Sequence, residues 1–459
     1  MRKLSLDNSS ITEGVIWKGM IAFFLPILMG TFFQQLYNTV DAIVVGNFVG
    51  KEALAAVGGS TSTLINLLLG FFIGLSSGAT VIISQLYGAR SMDGTRKAVH
   101  TAVALALTSG AFLTVVGFIV APFALRAINT PEEIMEHSLA YLRIYFLGVV
   151  PNLFYNVGTG ILRAIGDSKR PLIFLIISTM VNLVLDLLFV LGFKWGVQGV
   201  AIATIMAQTV SAVLVFITLI NGADSYRLCV REIGFTKSMF FDIIRIGIPA
   251  GLQSVMYGLS NIIIQASVNS FGTDTIAAWT AYGKIDGMFW MTMDAFSVTV
   301  STFVGQNFGA QKYKRMRQSI KTCAVMALTA SIGISGLILI FGRNIYSMFT
   351  QDQAVIEIGM KMLWLMVPFY FTYLGVTVLS GSIRGTGDAL VPMLITCVGI
   401  CVLRVVWVFV MKPLYPHVET VLLSYPITWS VTSILFIIYY YKGGWLKKQI
   451  ERRGFAPEK

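Results

Sequence analysis

Two carboxylates stand among amide side chains at helical spacing, within stretches of sequence that are otherwise apolar. Asp41 ends a polar stripe that starts with Gln34 and Asn38, at positions i, i+4 and i+7. Asn182 and Asp186 form a second pair at i, i+4. Residues at these separations share one face of a helix. Carboxylate and amide oxygens brought together are hard ligands that suit Na⁺, or a proton that two acids share.

Two further stretches of the same half carry polar stripes at the same spacing. Their members are Asn152, Asn156 and Thr159, and then Thr204, Gln208 and Ser211. We expect the four stripes to converge inside a bundle of helices. Hydrogen bonding between membrane helices is the alternative explanation, and it accounts for amides and hydroxyls better than for two intramembrane acids. The pattern therefore favours an ion or proton site.

The composition indicates that these stripes lie in a membrane. Of 459 residues, 56% are hydrophobic and only 12% are charged, about half the charged share of soluble proteins. The net charge of +12 is spread between apolar runs, which argues against nucleic-acid binding. Four cysteines and three histidines show no spacing typical of a metal or disulfide site. We therefore expect neither an enzyme nor a cofactor.

Twelve apolar stretches are long enough to cross a bilayer, which takes about 20 helical residues. If the N-terminus is cytoplasmic, the inner segments hold 25 of the 34 Lys and Arg residues and the outer segments hold 6. The positive-inside rule then predicts a multi-pass protein of the cytoplasmic (inner) membrane with both termini cytoplasmic. The predicted spans are 16–39, 53–77, 97–120, 138–159, 171–191, 197–220, 242–266, 276–302, 319–341, 360–382, 391–411 and 418–440.

The chain is an internal duplication. The string Gln-x-x-Gly-Ala at 85–89 returns at 306–310, and Arg-x-x-Gly-Asp-x-x-x-Pro at 163–171 returns at 384–392, both offset by 221 residues. We predict an all-α membrane protein of two six-helix bundles related by a pseudo-twofold axis along the membrane normal. The predicted parts are an N-terminal lobe (1–220), a cytoplasmic linker (221–236), a C-terminal lobe (237–441) and a basic cytoplasmic tail (442–459).

The two halves differ in chemistry. In the first span, where Pro26 matches Pro249 at an offset of 223 residues, Asp41 corresponds to Ile264, and the offset of 221 places Trp407 opposite Asp186. An ion site is therefore predicted in the first half alone. Pro26 lies fifteen residues before Asp41 in the same span, where a proline kinks a helix and provides a hinge. Pro249 has the same place in the second half without an acid, so packing alone is the competing explanation for both prolines.

The eighth span combines Lys284, Asp286 and Asp294 with aromatic and methionine neighbours such as Met291. An acid there that faces a central cavity would attract a flat apolar cation. For any single one of these residues, packing remains the alternative.

The twelve spans in two repeats, with Pro26, Asp41 and the duplicated Gln-x-x-Gly-Ala, resemble the multidrug and toxic compound extrusion (MATE) family, with its DinF-like branch the most similar. The resemblance covers the whole chain. It implies a V-shaped pair of bundles that exports cationic amphiphilic compounds in exchange for H⁺ or Na⁺ by alternating access. It also implies coupling roles, with Na⁺ as one candidate ion, for Asp41, Asn182, Asp186 and Thr204, with Asn156 nearby.

The resemblance and the polar pattern together define an expected substrate cavity. The members are Gln34, Asn38, Asn152, Gln208, Tyr257, Asn261, Lys284, Asp286, Met291 and Asp294. The partners would be small cationic substrates and the lipid bilayer, with the protein a monomer. The alternative is a flippase of the same superfamily for lipid-linked or polysaccharide precursors, which would need more cavity cations than Arg143, Lys284 and Arg404. A passive channel is disfavoured because the acids do not form a ring.

Overall fold

The computed structural model describes residues 11–128 and 130–457, without the side chains of Lys51 and Ser60. The first ten residues of the predicted N-terminal lobe and the last two of the predicted tail lie outside this range. Twelve helical segments cover the twelve predicted spans, and six of them begin and end at least three residues beyond the predicted limits. They are α1 Ile16–Val49, α2 Glu52–Gly88, α3 Met92–Ala127, α4 Glu132–Leu147 with Val149–Ala164, α5 Lys169–Gly192, α6 Gly196–Ile220, α7 Lys237–Asn269, α8 Thr273–Gly309, α9 Tyr313–Phe349, α10 Gln353–Gly385, α11 Leu390–Leu414 and α12 Val418–Lys442.

Ten of these helices are long and apolar enough to cross a membrane, and the two pieces of α4 together give an eleventh span. The eighth, α8, has 37 residues but includes Lys284, Asp286 and Asp294, which make it less apolar. The predicted all-α membrane fold class is confirmed.

The fourth span is not the single straight helix that the sequence predicts. Its two pieces are bent by 51° at Gly148. A Cβ atom at this position would lie 2.4 Å from Cγ1 of Ile205 on α6, so only glycine permits so close an approach.

The duplicated strings form the same turn twice. Ala89 and Ala310 end α2 and α8 with backbone hydrogen bonds to Gln85 and Gln306, both 2.9 Å long. The next residue in each copy, Arg90 or Gln311, has φ of 56°. The Gly-Asp strings behave likewise: Gly166 and Gly387 have φ of 96° and 99°. The Oδ1 atoms of Asp167 and Asp388 accept hydrogen bonds from the first backbone N–H groups of α5 and α11, as N-cap side chains do.

The chain divides into two compact units. One comprises Ala22–Gly251, and the other runs from Leu252 onward and includes the described residues before Ala22. Both boundaries therefore lie inside a helix, α1 or α7, rather than in the polar segment 221–236. Each boundary lies within a few residues of Pro26 or Pro249, and both helices continue through their proline.

In the unit that starts at Leu252, the residues before α1 are clamped to the start of α9. The guanidinium of Arg315 donates to the backbone oxygens of Ile11, Glu13 and Gly14 at 3.1, 2.7 and 2.9 Å. Lys312 donates to the oxygen of Thr12 at 2.9 Å. We name this arrangement the first strap.

In the unit Ala22–Gly251, the residues before α7 are held in the same manner at the start of α3. Nε2 of His100 accepts a hydrogen bond from the backbone N–H of Cys229 at 3.0 Å. The hydroxyl of Thr101 accepts one from the backbone N–H of Thr236 at 3.1 Å. Arg96 pairs with Glu232. This is the second strap, so the lead-in to the first helix of each repeat is fixed to a helix of the other repeat.

Helices α2 and α7 approach each other through four glycines within the unit Ala22–Gly251. A Cβ on Gly74 would lie 2.5 Å from the Cα of Gly251, and one on Gly78 would lie 2.4 Å from the oxygen of Ile243. A Cβ on Gly247 would likewise lie 2.7 Å from the backbone oxygen of Leu75. Small residues four apart let two membrane helices approach this closely.

Candidate functional site

Asp41 on α1 and Asp186 on α5 are joined by the side chain of Asn182. With its amide nitrogen toward the acids, Asn182 donates to Oδ1 of Asp41 at 2.8 Å and to Oδ2 of Asp186 at 3.2 Å. Asn182 and Asp186 share a face of α5 because they are one turn apart. The exposed fractions are 8% for Asp41, 1% for Asn182 and 0% for Asp186. The structure thus brings together three of the predicted coupling residues.

Thr204 and two tyrosines surround this trio. The hydroxyls of Tyr37 and Tyr141 lie close enough to interact electrostatically with both acids and with Thr204. Thr204 is buried and donates to the oxygen of Val200 at 2.9 Å. Neither tyrosine is among the residues predicted from sequence. Tyr37 lies between Gln34 and Asp41 in the polar stripe of α1. This position in the sequence could have indicated that Tyr37 lies near the acids.

The acids have no basic partner among the described residues, and Oδ1 of Asp186 accepts no hydrogen bond there. Two carboxylates this close together in a buried site repel each other strongly when both are charged. A proton or a small cation removes that repulsion. The amide of Asn182, turned over, presents its oxygen to the same place, which is what a bound Na⁺ would require.

Within the described residues, the other predicted polar side chains of the first half form their hydrogen bonds with groups outside this trio or are exposed. Asn156 donates to Oδ1 of Asn152 at 3.0 Å and to its backbone oxygen at 2.9 Å, so these two residues pair along α4. The side chain of Gln208 on α6 lies near the hydroxyl of Tyr145. Gln34 and Asn38 are exposed.

In the second repeat, Asp286 lies inside an aromatic cage. Its carboxylate accepts hydrogen bonds from the hydroxyl of Tyr370 and the indole of Trp290. The hydroxyl of Tyr282 lies 2.9 Å from that of Tyr370, and Phe289 stacks on Tyr370 with ring centroids 4.1 Å apart. Tyr282 and Trp290 flank Asp286 at i−4 and i+4, which is a readable sequence signal. Tyr370 is 84 residues away, and nothing in the sequence links it to this acid.

The remaining predicted cavity residues lie in varied surroundings. Tyr257 on α7 is partly buried, with its hydroxyl 3.2 Å from that of Tyr373. Asn261, Lys284 and Asp294 are exposed, and Met291 is half-buried. Asp294 interacts electrostatically with Arg384.

The repeat-related positions of the coupling acids hold apolar and aromatic side chains. Ile264 is fully buried, and the indole N–H of Trp407 donates to the backbone oxygen of Thr420 at 2.8 Å. Both side chains fill their positions, so the second repeat has no counterpart of the acidic trio there.

Arg404 on α11 is 2% exposed and has no carboxylate partner in the part of the chain that the structure describes. Its guanidinium lies 3.9 Å from the ring centroid of Tyr425 and donates to the hydroxyl of Thr428 at 3.3 Å. Its Nε atom has no hydrogen-bond partner there. An intramembrane charge is costly and normally paired, so this residue needs an explanation.

This chain is similar in sequence and in fold to known proteins. A sequence model of the MatE family matches twice, over residues 26–188 and 249–410, the two predicted repeats. The probable multidrug resistance protein YoeA of Bacillus subtilis (strain 168) is 30% identical over 447 residues, covering 95% of this chain and 96% of that protein. The probable multidrug resistance protein NorM of Thermotoga maritima is 24% identical, with 96% of each chain covered.

A solved structure of a MATE protein in the bent conformation has the same fold, with a TM-score of 0.90 at 21% identity. The match covers 97% of this chain and 99% of that one. With its fold, its double match and its relatives taken together, the chain belongs to the MatE family of multidrug and toxic compound extrusion transporters.

Proposed function

We propose that this protein is a secondary antiporter that exports cationic amphiphilic compounds in exchange for H⁺ or Na⁺ by alternating access. One observation carries the proposal: Asp41 and Asp186 are buried together on the amide of Asn182 without a basic partner among the described residues. Such a site is stable when it holds a proton or a cation and unfavourable when both acids are charged. Coupling follows if the site gains its ion on one side of the membrane and loses it on the other.

The hinge in this scheme is Pro26. A proline inside a helix removes one backbone hydrogen bond and permits bending. Asp41 lies beyond Pro26 on α1, and the boundary between the two compact units crosses the same helix nearby. A change in the occupancy of the acidic site would then alter the bend of α1.

The substrate class rests on the relatives, which are named multidrug resistance proteins. The sequence-predicted cavity residues remain our candidates for substrate contact, and no organic cofactor is required. We propose a monomer in the cytoplasmic membrane with both termini inside, as the distribution of Lys and Arg predicts. The lobes, linker and tail keep the boundaries given above.

Efflux of a fluorescent cationic dye from right-side-out membrane vesicles tests the proposal. Transport is driven first by a pH gradient and then by a Na⁺ gradient. Wild type, Asp41→Asn, Asp186→Asn and the double variant Asp41→Asn/Asp186→Asn are compared side by side. Asp224→Asn, an exposed residue of the linker, is the matched control. We expect one gradient to drive efflux, and we expect loss of this efflux in both site variants and not in the control. Undiminished driven efflux in the double site variant contradicts the proposal.

Arg404 favours the flippase as the second candidate function. A buried guanidinium without a carboxylate partner is suited to an anionic head group. Replacing a buried charge by an apolar side chain of similar size is often neutral or stabilising. Arg404→Met with retained dye efflux and abolished transfer of a labelled anionic lipid precursor supports the flippase. Equal loss of both activities argues for a structural role of Arg404.

A further inference from the structure

A cavity of about 450 Å³ opens near the end of the chain, in the unit that starts at Leu252. It lies between the start of α9, the end of α12 and a short terminal helix, α13 (Trp445–Arg453). The side chains that define its chemistry are Arg317, Tyr440, Tyr441, Trp445, Lys447 and Glu451. None of them belongs to the acidic trio or to the predicted substrate cavity.

The cavity lies where two helices change from apolar to basic. On α9, the exposed cations Lys314, Arg317 and Lys321 are spaced by three and four residues and share one face. The next Lys or Arg on this helix is Arg343. Helix α12 ends in Lys442 after a long apolar run. Such a transition on both helices is typical of the depth at which phospholipid head groups lie.

The terminal helix α13 is built to lie along this boundary. Gly444, with φ of 61°, turns the chain sharply after α12. The buried face of α13 includes Trp445, whose indole N–H donates to the backbone oxygen of Tyr440 at 2.9 Å. The opposite face exposes Lys447 and Lys448. A short helix with an apolar inner face and a basic outer face is typical of the membrane interface.

The rim of the cavity continues into an apolar stripe on α12. Tyr441 is 79% exposed, and Ile438 and Ile434, three and seven residues earlier, are 50% and 56% exposed. These residues share one face of the helix. A ligand that joins an anionic group to long apolar chains matches both parts of this surface, whereas a small soluble anion matches only the cavity.

We propose that this cavity binds the head group of an anionic glycerophospholipid, with its acyl chains along the stripe Ile434, Ile438 and Tyr441. The guanidinium of Arg317 and the ammonium of Lys447 would pair with the phosphate. The carboxylate of Glu451 lies 3.9 Å from the ammonium of Lys447, so it competes with the phosphate for this cation. Because of this competition, removing the carboxylate of Glu451 should strengthen lipid binding.

Native mass spectrometry of the full-length protein tests the proposal. The detergent-purified protein is mixed with phosphatidylglycerol or with phosphatidylcholine, and the retained lipid is counted. We expect preferential retention of phosphatidylglycerol, about tenfold weaker in Arg317→Gln/Lys447→Gln and stronger in Glu451→Gln. Lys361→Gln on α10, an exposed cation remote in sequence, should behave as wild type. Circular dichroism checks that each variant is folded.

Three results would overturn the proposal. The first is equal retention of the two lipids by wild type. The second is unchanged phosphatidylglycerol retention in the folded double variant, which would move the lipid to another surface. The third is displacement of bound phosphatidylglycerol by glycerol 3-phosphate at equal concentration, which would assign the cavity to a soluble phosphate.

Discussion

The side-chain amide of Asn182 lies 2.8 Å from Oδ1 of Asp41 and thereby ties α5 to α1. Asn182→Leu keeps a similar volume and removes this donor from two buried carboxyls. A buried acceptor left without its donor costs about 1–3 kcal/mol. We therefore expect ion-driven efflux roughly 5- to 150-fold slower, because about 1.4 kcal/mol corresponds to a factor of ten.

The measurement is the initial rate of dye efflux in proteoliposomes that contain equal amounts of folded protein. Asn344→Leu is the matched control, since Asn344 is exposed on α9 and belongs neither to the acidic site nor to the predicted substrate cavity. A rate in Asn182→Leu equal to that of the control would show that the bridge between Asp41 and Asp186 is dispensable.

The close contact of α2 with α7 predicts opposite effects for the same substitution at two glycines. Gly78→Ala places a Cβ 2.4 Å from the backbone oxygen of Ile243, whereas Gly333→Ala on α9 meets no atom within 4 Å. We expect the first to lower the thermal unfolding midpoint. The second should raise it slightly, because alanine stabilises an open helical position by roughly 0.5–1 kcal/mol. Scanning fluorimetry compares both variants with wild type, and equal midpoints for the two would refute the tight contact.

The aromatic cage of Asp286 predicts a stability effect of one hydroxyl group. Tyr370→Phe keeps the stack on Phe289 and removes the donor to the carboxylate. We expect a loss of about 1–3 kcal/mol, seen as a lower midpoint in denaturant. Tyr441→Phe, at a 79% exposed position, is the control and should have no effect. If the double variant Tyr370→Phe/Asp286→Asn has the midpoint of wild type, the loss in Tyr370→Phe comes from the carboxylate of Asp286 left without its donor.

The first strap predicts selective exposure of the residues before α1. Arg315→Gln removes a guanidinium that donates to three backbone oxygens. We expect faster cleavage after Glu13 by a glutamate-specific protease, followed by mass spectrometry. Lys314→Gln, the exposed neighbour, should leave the cleavage rate unchanged. An equal rate in all three proteins means that the strap does not protect this segment.

Local patterns account for much of what the sequence predicts. Apolar length located all twelve helical segments, and helical spacing placed Asn182 and Asp186 on one face of α5. The bend at Gly148 was not predictable, because it depends on contact with Ile205 from α6. The same limit applies to the cage of Asp286, whose donor Tyr370 comes from a distant helix. Local periodicity carries no information about which helices meet.

The first strap also constrains how the protein is made. Arg315 and the backbone groups that it holds are about 300 residues apart in the chain. The ribosome must therefore synthesise most of the protein before the lead-in to α1 finds its partner, and chains fold progressively from their N-terminal parts. The helix α1 therefore enters the bilayer before the residues that precede it can bind Arg315. These hydrogen bonds form only after α9 of the second repeat has been synthesised. Nascent chains that end before Arg315 would thus leave residues 11–14 without these hydrogen bonds.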